Sequence, residues 1–171
     1  MPKKKTRKVK ATTKIKNKLS KIAKYLNEQR VKYKTIAHKV VYTARDIAAT
    51  TKKKINEIAK VVLVKTDKGF ALVIVPAGKY IDLAAVKATL KAKKIAMASE
   101  KDIAKYLKTK VGLIHPFGNL YKIPTLIDKG FAKAKKMVAS AESYTESVEI
   151  AIKDFEKLAQ PIKGLFAKTK K

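Results

Sequence analysis

A mixed α/β fold in a single domain is the class this sequence predicts, and three observations predict it. Two apolar runs rich in β-branched residues, Val61–Val64 and Ala71–Val75, flank the turn Thr66-Asp67-Lys68-Gly69. This is the pattern of a hairpin whose strands are too continuously apolar to leave one face in water. Leu19, Ile22, Ala23 and Leu26 recur at helical spacing, one stripe of an amphipathic helix. Further strand-like and helix-like segments alternate irregularly, several close enough to pair as hairpins. The result is a mixed or antiparallel sheet with short helices packed on it, not a doubly wound nucleotide fold. With 171 residues the chain can bury one real core and is too short for two comfortable ones.

Residues 1–13 have no hydrophobic periodicity and read as a disordered basic arm; residues 14–160 read as the folded domain and 161–171 as a basic C-terminal tail. The first helix is expected over Asn17 to Arg30, with Lys18, Lys21 and Lys24 off its apolar stripe. Val31–His38 alternates, with Val31, Tyr33, Thr35 and Ala37 on one side, and reads as a strand. Thr43 followed by Asp46 has the spacing of a capping box with the shorter acid, opening a helix that stops near Thr51. The hairpin strands follow at Ala59–Lys65 and Phe70–Pro76. Asp82 can cap a helix from Leu83 to near Lys91, and Lys94–Ala98 is a short strand. Ser99 and Asp102 repeat the cap before Ile103–Leu107. The segment 111–118, VGLIHPFG, has neither period and reads as a loop. Ile123–Ile127, Lys135–Ser140 and Ser147–Ile152 read as strands, and Phe155–Leu158 opens a last helix that Pro161 breaks.

Lys+Arg number 42 against 13 Asp+Glu, a net charge of +29. That surplus points to a polyanionic partner, nucleic acid first, and it clusters at the ends of the chain. Lys3, Lys4, Lys5, Arg7, Lys8, Lys10, Lys18 and Lys21 are the candidate phosphate contacts, with lysine suited to loose attraction rather than bidentate readout. There is no cysteine, which removes disulfides and thiolate chemistry and agrees with a cytoplasmic protein. No stretch approaches the roughly 20 apolar residues of a membrane span. No glycine-rich phosphate loop occurs. Two histidines, His38 and His115, without sulfur or paired carboxylates make a poor metal site, so neither metal nor cofactor is expected.

Two features remain as candidate chemistry. Lys60 heads the first apolar strand, where it either snorkels to solvent or reaches into a cavity beside the sheet. The loop 111–118 carries Gly112, Pro116 and Gly118, and consecutive backbone N–H groups in such a turn can point at a carbonyl or oxyanion; an ordinary surface loop has the same composition.

The order His38, helix, Lys60-Val-Val-Leu-Val, 76-PAGKYIDLAAV-86, Gly112-x-x-x-Pro116, 124-PTLID-128 and 147-SVEI-150 resembles the YbaK and proline-tRNA-synthetase-associated (editing) domain family. The resemblance runs from about residue 17 to 158. It implies a curved, barrel-like mixed sheet and metal-free hydrolysis of wrongly charged aminoacyl-tRNA, commonly tRNA for proline carrying a small wrong amino acid, with a synthetase as a possible partner. It further implies that Lys60 orients the substrate's aminoacyl or terminal-adenosine end. Gly112, Leu113, Ile114, His115 and Pro116 would form the loop holding the scissile carbonyl, and Ser140, His38, Thr43 and Ile36 would line or rim the pocket.

Four departures bear on substrate choice. Ile36 stands where the cysteine-editing branch tends to have tyrosine. Leu113 and His115 replace common glycine and serine, and Glu142 replaces a usual glycine. No residue is an obvious general base; His115 is the tempting one. The rival reading is a non-catalytic tRNA-binding or synthetase-associated module of the same fold. A DNA-compacting protein would need only the charge and leaves the hairpin and loop unexplained.

Overall fold

The computed structural model describes residues 20–169. The basic arm at 1–13 and Lys18 lie outside the described residues; Lys21 opens the first helix. Helix α1 (Lys21–Glu28) is capped by Ser20, whose hydroxyl accepts the Ala23 N–H at 3.1 Å, and it buries Ile22, Ala23 and Leu26. Strand β1 (Tyr33–Ala37) follows. Its expected alternation fails beyond Tyr33: Thr35 and Ala37 are exposed while Ile36 turns inward. The strand is a sheet edge paired only with β8, so no second neighbour enforces an inner face. Helix α2 (Ala44–Thr51) begins where Thr43 Oγ1 accepts the Asp46 N–H at 3.1 Å.

The hairpin is the longest ladder. Strand β2 (Ala59–Thr66) pairs antiparallel with β3 (Gly69–Pro76), from Ala59 opposite Pro76 to Thr66 opposite Gly69. The turn is therefore one residue tighter at each end than expected, with Asp67 and Lys68 alone outside the ladder. Strand β4 (Tyr80–Ile81), helix α3 (Leu83–Thr89), strand β5 (Ile95–Met97) and helix α4 (Glu100–Asp102, continued by a π-turn over Ile103–Leu107) come next. Asp82 and Ser99 cap α3 and α4 as the spacing predicts. Strands β6 (Thr125–Asp128), β7 (Lys136–Ser140) and β8 (Glu146–Ala151) precede helix α5 (Ile152–Ala159).

The chain then departs from expectation. Residues 162–168 are not a free tail but form β9 (Ile162–Gly164), parallel to β6, and β10 (Ala167–Lys168), antiparallel to β4. Phe166 between them is 1% exposed. The Asp128 carboxylate fastens the segment, accepting the N–H groups of Phe166 at 2.7 Å and Ala167 at 2.9 Å on one oxygen and Gly130 at 2.7 Å on the other. Lys163 and Lys168, within these short strands, hid this from a reading by composition.

The five-stranded sheet has the order β5-β2-β3-β6-β9, and a three-stranded sheet the order β1-β8-β7. They touch through one parallel bridge, Ile58 to Val138. The mixed sheet is thus observed, but it is not closed into a barrel: the three-residue edge strands β5 and β9 do not pair with each other. One core, with Ile22, Leu26, Ile74, Phe117, Met137, Val148 and Phe155, fills the space between the sheets and under α1 and α5. A second, with Val64, Val73, Val75, Val86, Leu126 and Phe166, covers the opposite face of β3. Both faces of the hairpin's second strand are covered, as its unbroken apolar run requires.

Phe166→Ala should lower unfolding stability by about 3–5 kcal/mol, read as a lower urea midpoint. An unchanged midpoint would mean that residues 162–168 are not part of the cooperative unit.

Candidate active site

Lys60 stands on β2 opposite Val75, on the stretch of the strand that β5 does not cover, since β5 pairs only with Val64–Thr66. The stem lies half-buried and the ammonium donates to the Lys79 carbonyl, with the Tyr80 ring centroid 5.2 Å away. Burial, reinforced by the nearby Arg45 guanidinium, holds its pKa below the ordinary lysine value. The side chain separates two clefts. One, of about 560 Å³, is lined by Thr43, Arg45, Lys60, Gly78 and Tyr80; the other, of about 920 Å³, has an apolar floor of Val62, Ile81, Leu83 and Met97. Thr43 therefore serves twice, as the cap of α2 and as a wall beside Lys60. Arg45 was not singled out from the sequence; its place in the first turn after a capping threonine was the available signal.

The loop 111–118 meets this wall through one backbone contact. Gly112 has φ +83, and an added Cβ would lie 2.6 Å from the Tyr42 carbonyl oxygen. Both facts demand glycine. Within the loop, the Leu113 N–H turns back to Lys110 O at 3.0 Å, the Phe117 N–H donates to His115 Nδ1 at 3.2 Å and the Gly118 N–H to Thr125 Oγ1 at 3.0 Å. These three are spent inside the protein. The N–H groups of Gly112 and Ile114 have no acceptor among the described residues. The side chains of Ile114 and Pro116 are buried, Ile114 among Leu63, Leu72, Ile103 and Leu107. They hold the loop in place and present no side chain to a ligand.

His115 points the other way. Its ring, 1% exposed, stacks on Tyr121 with centroids 4.4 Å apart, at the back of a cleft of about 500 Å³ whose rim includes Lys21, Tyr25 and Lys122. Because Nδ1 accepts from Phe117, the neutral ring carries its proton on Nε2, aimed at Glu142 Oε1 3.9 Å away. That distance is too long for a hydrogen bond, and Glu142 Oε1 has no partner among the described residues. Burial, with the Lys21 charge, lowers the His115 pKa to about 4. Burial likewise pushes the Glu142 carboxyl upward and the Tyr121 phenol well above its usual value.

Glu142 has φ +62, the left-handed conformation in which glycine is usual. The β7–β8 turn keeps a glycine-type backbone and puts a carboxylate in it, supported by the Glu142 N–H donating to Ser140 Oγ at 3.1 Å. Ser140 is buried opposite Ser147 and shapes this turn. His38 is tied to the same hairpin: Nδ1 donates to Lys39 O at 2.8 Å, leaving Nε2 to accept from Ser147 Oγ at 2.9 Å. Ile36 packs on the cluster of Ile58 and Val138. The expected site residues thus fall into two groups, Lys60 with Thr43 on one side and His115, Ser140 and Glu142 on the other. The segment His38–Thr43 runs between them. Among the described residues no group of three or more His, Cys, Asp or Glu could hold a metal ion, and no helix is long and apolar enough to cross a membrane.

The model of the aminoacyl-tRNA editing domain matches residues 38–158. The chain belongs to this family. A prolyl-tRNA editing protein, ProX, of Acetoanaerobium sticklandii is 27% identical over 141 residues, covering 79% of this chain and 86% of ProX. The fold is that of a hypothetical protein, APE2540, with a TM-score of 0.80 at 15% identity over 86% of this chain and 99% of the other. It is also that of a protein described as a candidate trans-editing enzyme for prolyl tRNA synthetase, with a TM-score of 0.73 at 15% identity over 80% and 87% of the two chains. The matched span contains Lys60, the Gly112 loop and the Glu142 turn.

A histidine kept neutral by burial must charge on unfolding in acid. Stability is therefore unaffected by His115 above pH 6.5, where the ring is neutral in both states, and falls as the pH drops from 6.5 towards 4, by on the order of 3 kcal/mol. The raised Glu142 carboxyl acts with the opposite sign at the acid end. Chemical unfolding across this range should show a flatter slope in His115→Asn than in the parent; equal slopes would mean the ring is not buried neutral.

Proposed function

We propose that this protein is a trans-editing aminoacyl-tRNA deacylase, acting on tRNA for proline that carries a small wrong amino acid. The family match across residues 38–158 supports the reaction class, and the name of the ProX relative favours proline tRNA. The observation that carries the reading to residues is Lys60. It is a half-buried ammonium, held by one carbonyl and one ring at the wall between two clefts, where a substrate phosphate or aminoacyl carbonyl can replace the Lys79 carbonyl. Arg45 adds a second cation to the same wall.

The chemistry is ester hydrolysis. Water adds to the aminoacyl carbonyl, the carbonyl oxygen gains negative charge, and collapse expels the ribose hydroxyl to give free amino acid and uncharged tRNA. The unspent N–H groups of Gly112 and Ile114 are the donors suited to that oxyanion. The Leu113 N–H is not, because Lys110 O already holds it. Positioning by Lys60 and charge stabilisation by the loop suffice without a metal. His115 is neutral at pH 7 but occupies a closed stack with Tyr121, which suits a supporting role and leaves proton removal to solvent or a substrate group. Selection among small side chains rests on cleft volume, worth about 1–3 kcal/mol per methylene.

Single-turnover deacylation of proline tRNA charged with alanine, cysteine, serine or proline tests the reading. One mischarged species should be hydrolysed in preference to Pro-tRNA. Lys60→Ala should cut that rate by about 100-fold, the size of loss that mispositioning alone brings, while tRNA affinity changes little. No hydrolysis anywhere in the panel, with tight binding, would instead favour the non-catalytic module. Gly112→Ala should depress the rate as strongly while lowering the urea midpoint by a modest amount, since a Cβ at this positive φ is strained and the exposed end of the loop must shift to relieve its contact with Tyr42. A fully active Gly112→Ala would remove the loop from the mechanism. Affinity should fall steeply with salt in both the parent and Lys60→Ala.

A further inference from the structure

Tyr42 is 65% exposed although its backbone is pinned on every side. Val41 donates to Tyr144 O and His38 to Thr145 O, each at 2.9 Å, the Tyr42 carbonyl lies against Gly112, and the next residue caps α2. Behind the Tyr42 ring stands Tyr144, with centroids 4.9 Å apart at 60°. Val40 at 56% and Val111 at 53%, the latter next to Gly112, are also exposed. Exposed cations flank the ring in sequence, Lys39 and Arg45 on its own segment and Lys110 on the loop. An outward aromatic face on a pinned segment, with exposed cations on the same and the adjoining segment, has the composition of a surface for single-stranded nucleic acid, where bases stack on rings and phosphates meet lysine and arginine.

Resting on the editing reading, we propose that Tyr42, braced by Tyr144, is the stacking platform for the terminal base of the tRNA 3′ end. The ester to be cut sits on the ribose of that nucleotide, so its base must lie within one nucleoside's length of the scissile carbonyl. Tyr42 meets that requirement on both sides: its carbonyl touches Gly112, and its chain neighbours Thr43 and Arg45 line the cleft beside Lys60. Stacking is indifferent to base identity, which fits an end common to all tRNAs and leaves discrimination to the aminoacyl pocket. The exposed cations and the adjoining loop favour the RNA end over a protein partner.

The test uses the full chain and tRNA with 2-aminopurine in place of the terminal adenine. Binding should quench the probe. Tyr42→Ala should abolish the quench and raise KM for deacylation on the order of tenfold with kcat little changed, Tyr42→Phe should preserve both, and Tyr144→Ala should weaken the quench. A full quench in Tyr42→Ala, or a Tyr42→Phe as defective as Tyr42→Ala, overturns the platform. So does a Tyr42→Ala defect confined to binding a synthetase. Quenching without hydrolysis in the parent would retain the platform and refute the editing reading, whereas hydrolysis without a Tyr42-dependent quench would do the reverse. Circular dichroism of each variant checks that the exposed position has left the fold intact.

Discussion

The antiparallel ladder between β2 and β3 is the constraint on which the rest of the molecule depends. Its eight residue pairs, Ala59–Pro76 to Thr66–Gly69, set which side chains face each core, because a slip of one residue would exchange the two faces. With this register Val61 and Leu63 pack towards the α1 and α4 sides, while Val62 and Val64 pack towards α3 and Phe166. Lys60 then falls on the Val62 face, on the stretch of the strand that β5 does not cover. A cation at that spot is half-buried because of the ladder, and reachable because the ladder's neighbour is short.

Charge explains less of the architecture than its quantity suggests. The net +29 comes from a large excess of lysine, and the lysines among the described residues are mostly exposed, where their separate contributions to stability are small. The carboxylates that matter are few and committed. Asp128 gathers three backbone N–H groups, Asp67 two from Lys93 and Lys94, and Asp102 caps α4 with Ser99. Glu149 holds Lys53, which keeps its carboxyl below the usual range. Glu142 is the exception, a carboxylate in a left-handed turn with one oxygen unpaired beside a neutral imidazole. The surface is strongly positive, and a minority of the acids, Asp67, Asp82, Asp102 and Asp128 foremost, anchor the protein's own backbone.

The two halves of the site differ in how they were legible. Lys60 and Gly112 stand out in the sequence, one as a charge heading an apolar strand and the other as a glycine in a periodless loop; the structure requires glycine at 112 and sets the Lys60 ammonium half-buried between two clefts. His115 and Ser140 lie close to each other in the fold through the β7–β8 turn, yet both are buried and bonded within the protein. Ile114 and Pro116 proved to be supports of the loop. Tyr42, Tyr80 and Arg45 escaped notice because a lone tyrosine or arginine in a polar stretch has no pattern to mark it; their meaning arises from what lies across from them.

Local patterns determined the hairpin, the Thr43, Asp82 and Ser99 caps, and the boundaries of most helices and strands, since these depend on residues within a few positions of one another. Only the tertiary structure decided that 162–168 joins two sheets, that β1 loses its alternation at an edge, and that the sheet stops short of a barrel. Each of those outcomes turns on partners far away in the chain: Asp128 for the Phe166 segment, β8 alone for β1, and two three-residue strands that cannot reach each other for the open sheet. The chemistry of the site follows the same division, with residue types written locally and their meeting at Tyr42 and Thr43 set by contacts across sequence distances of 17 to 70 residues.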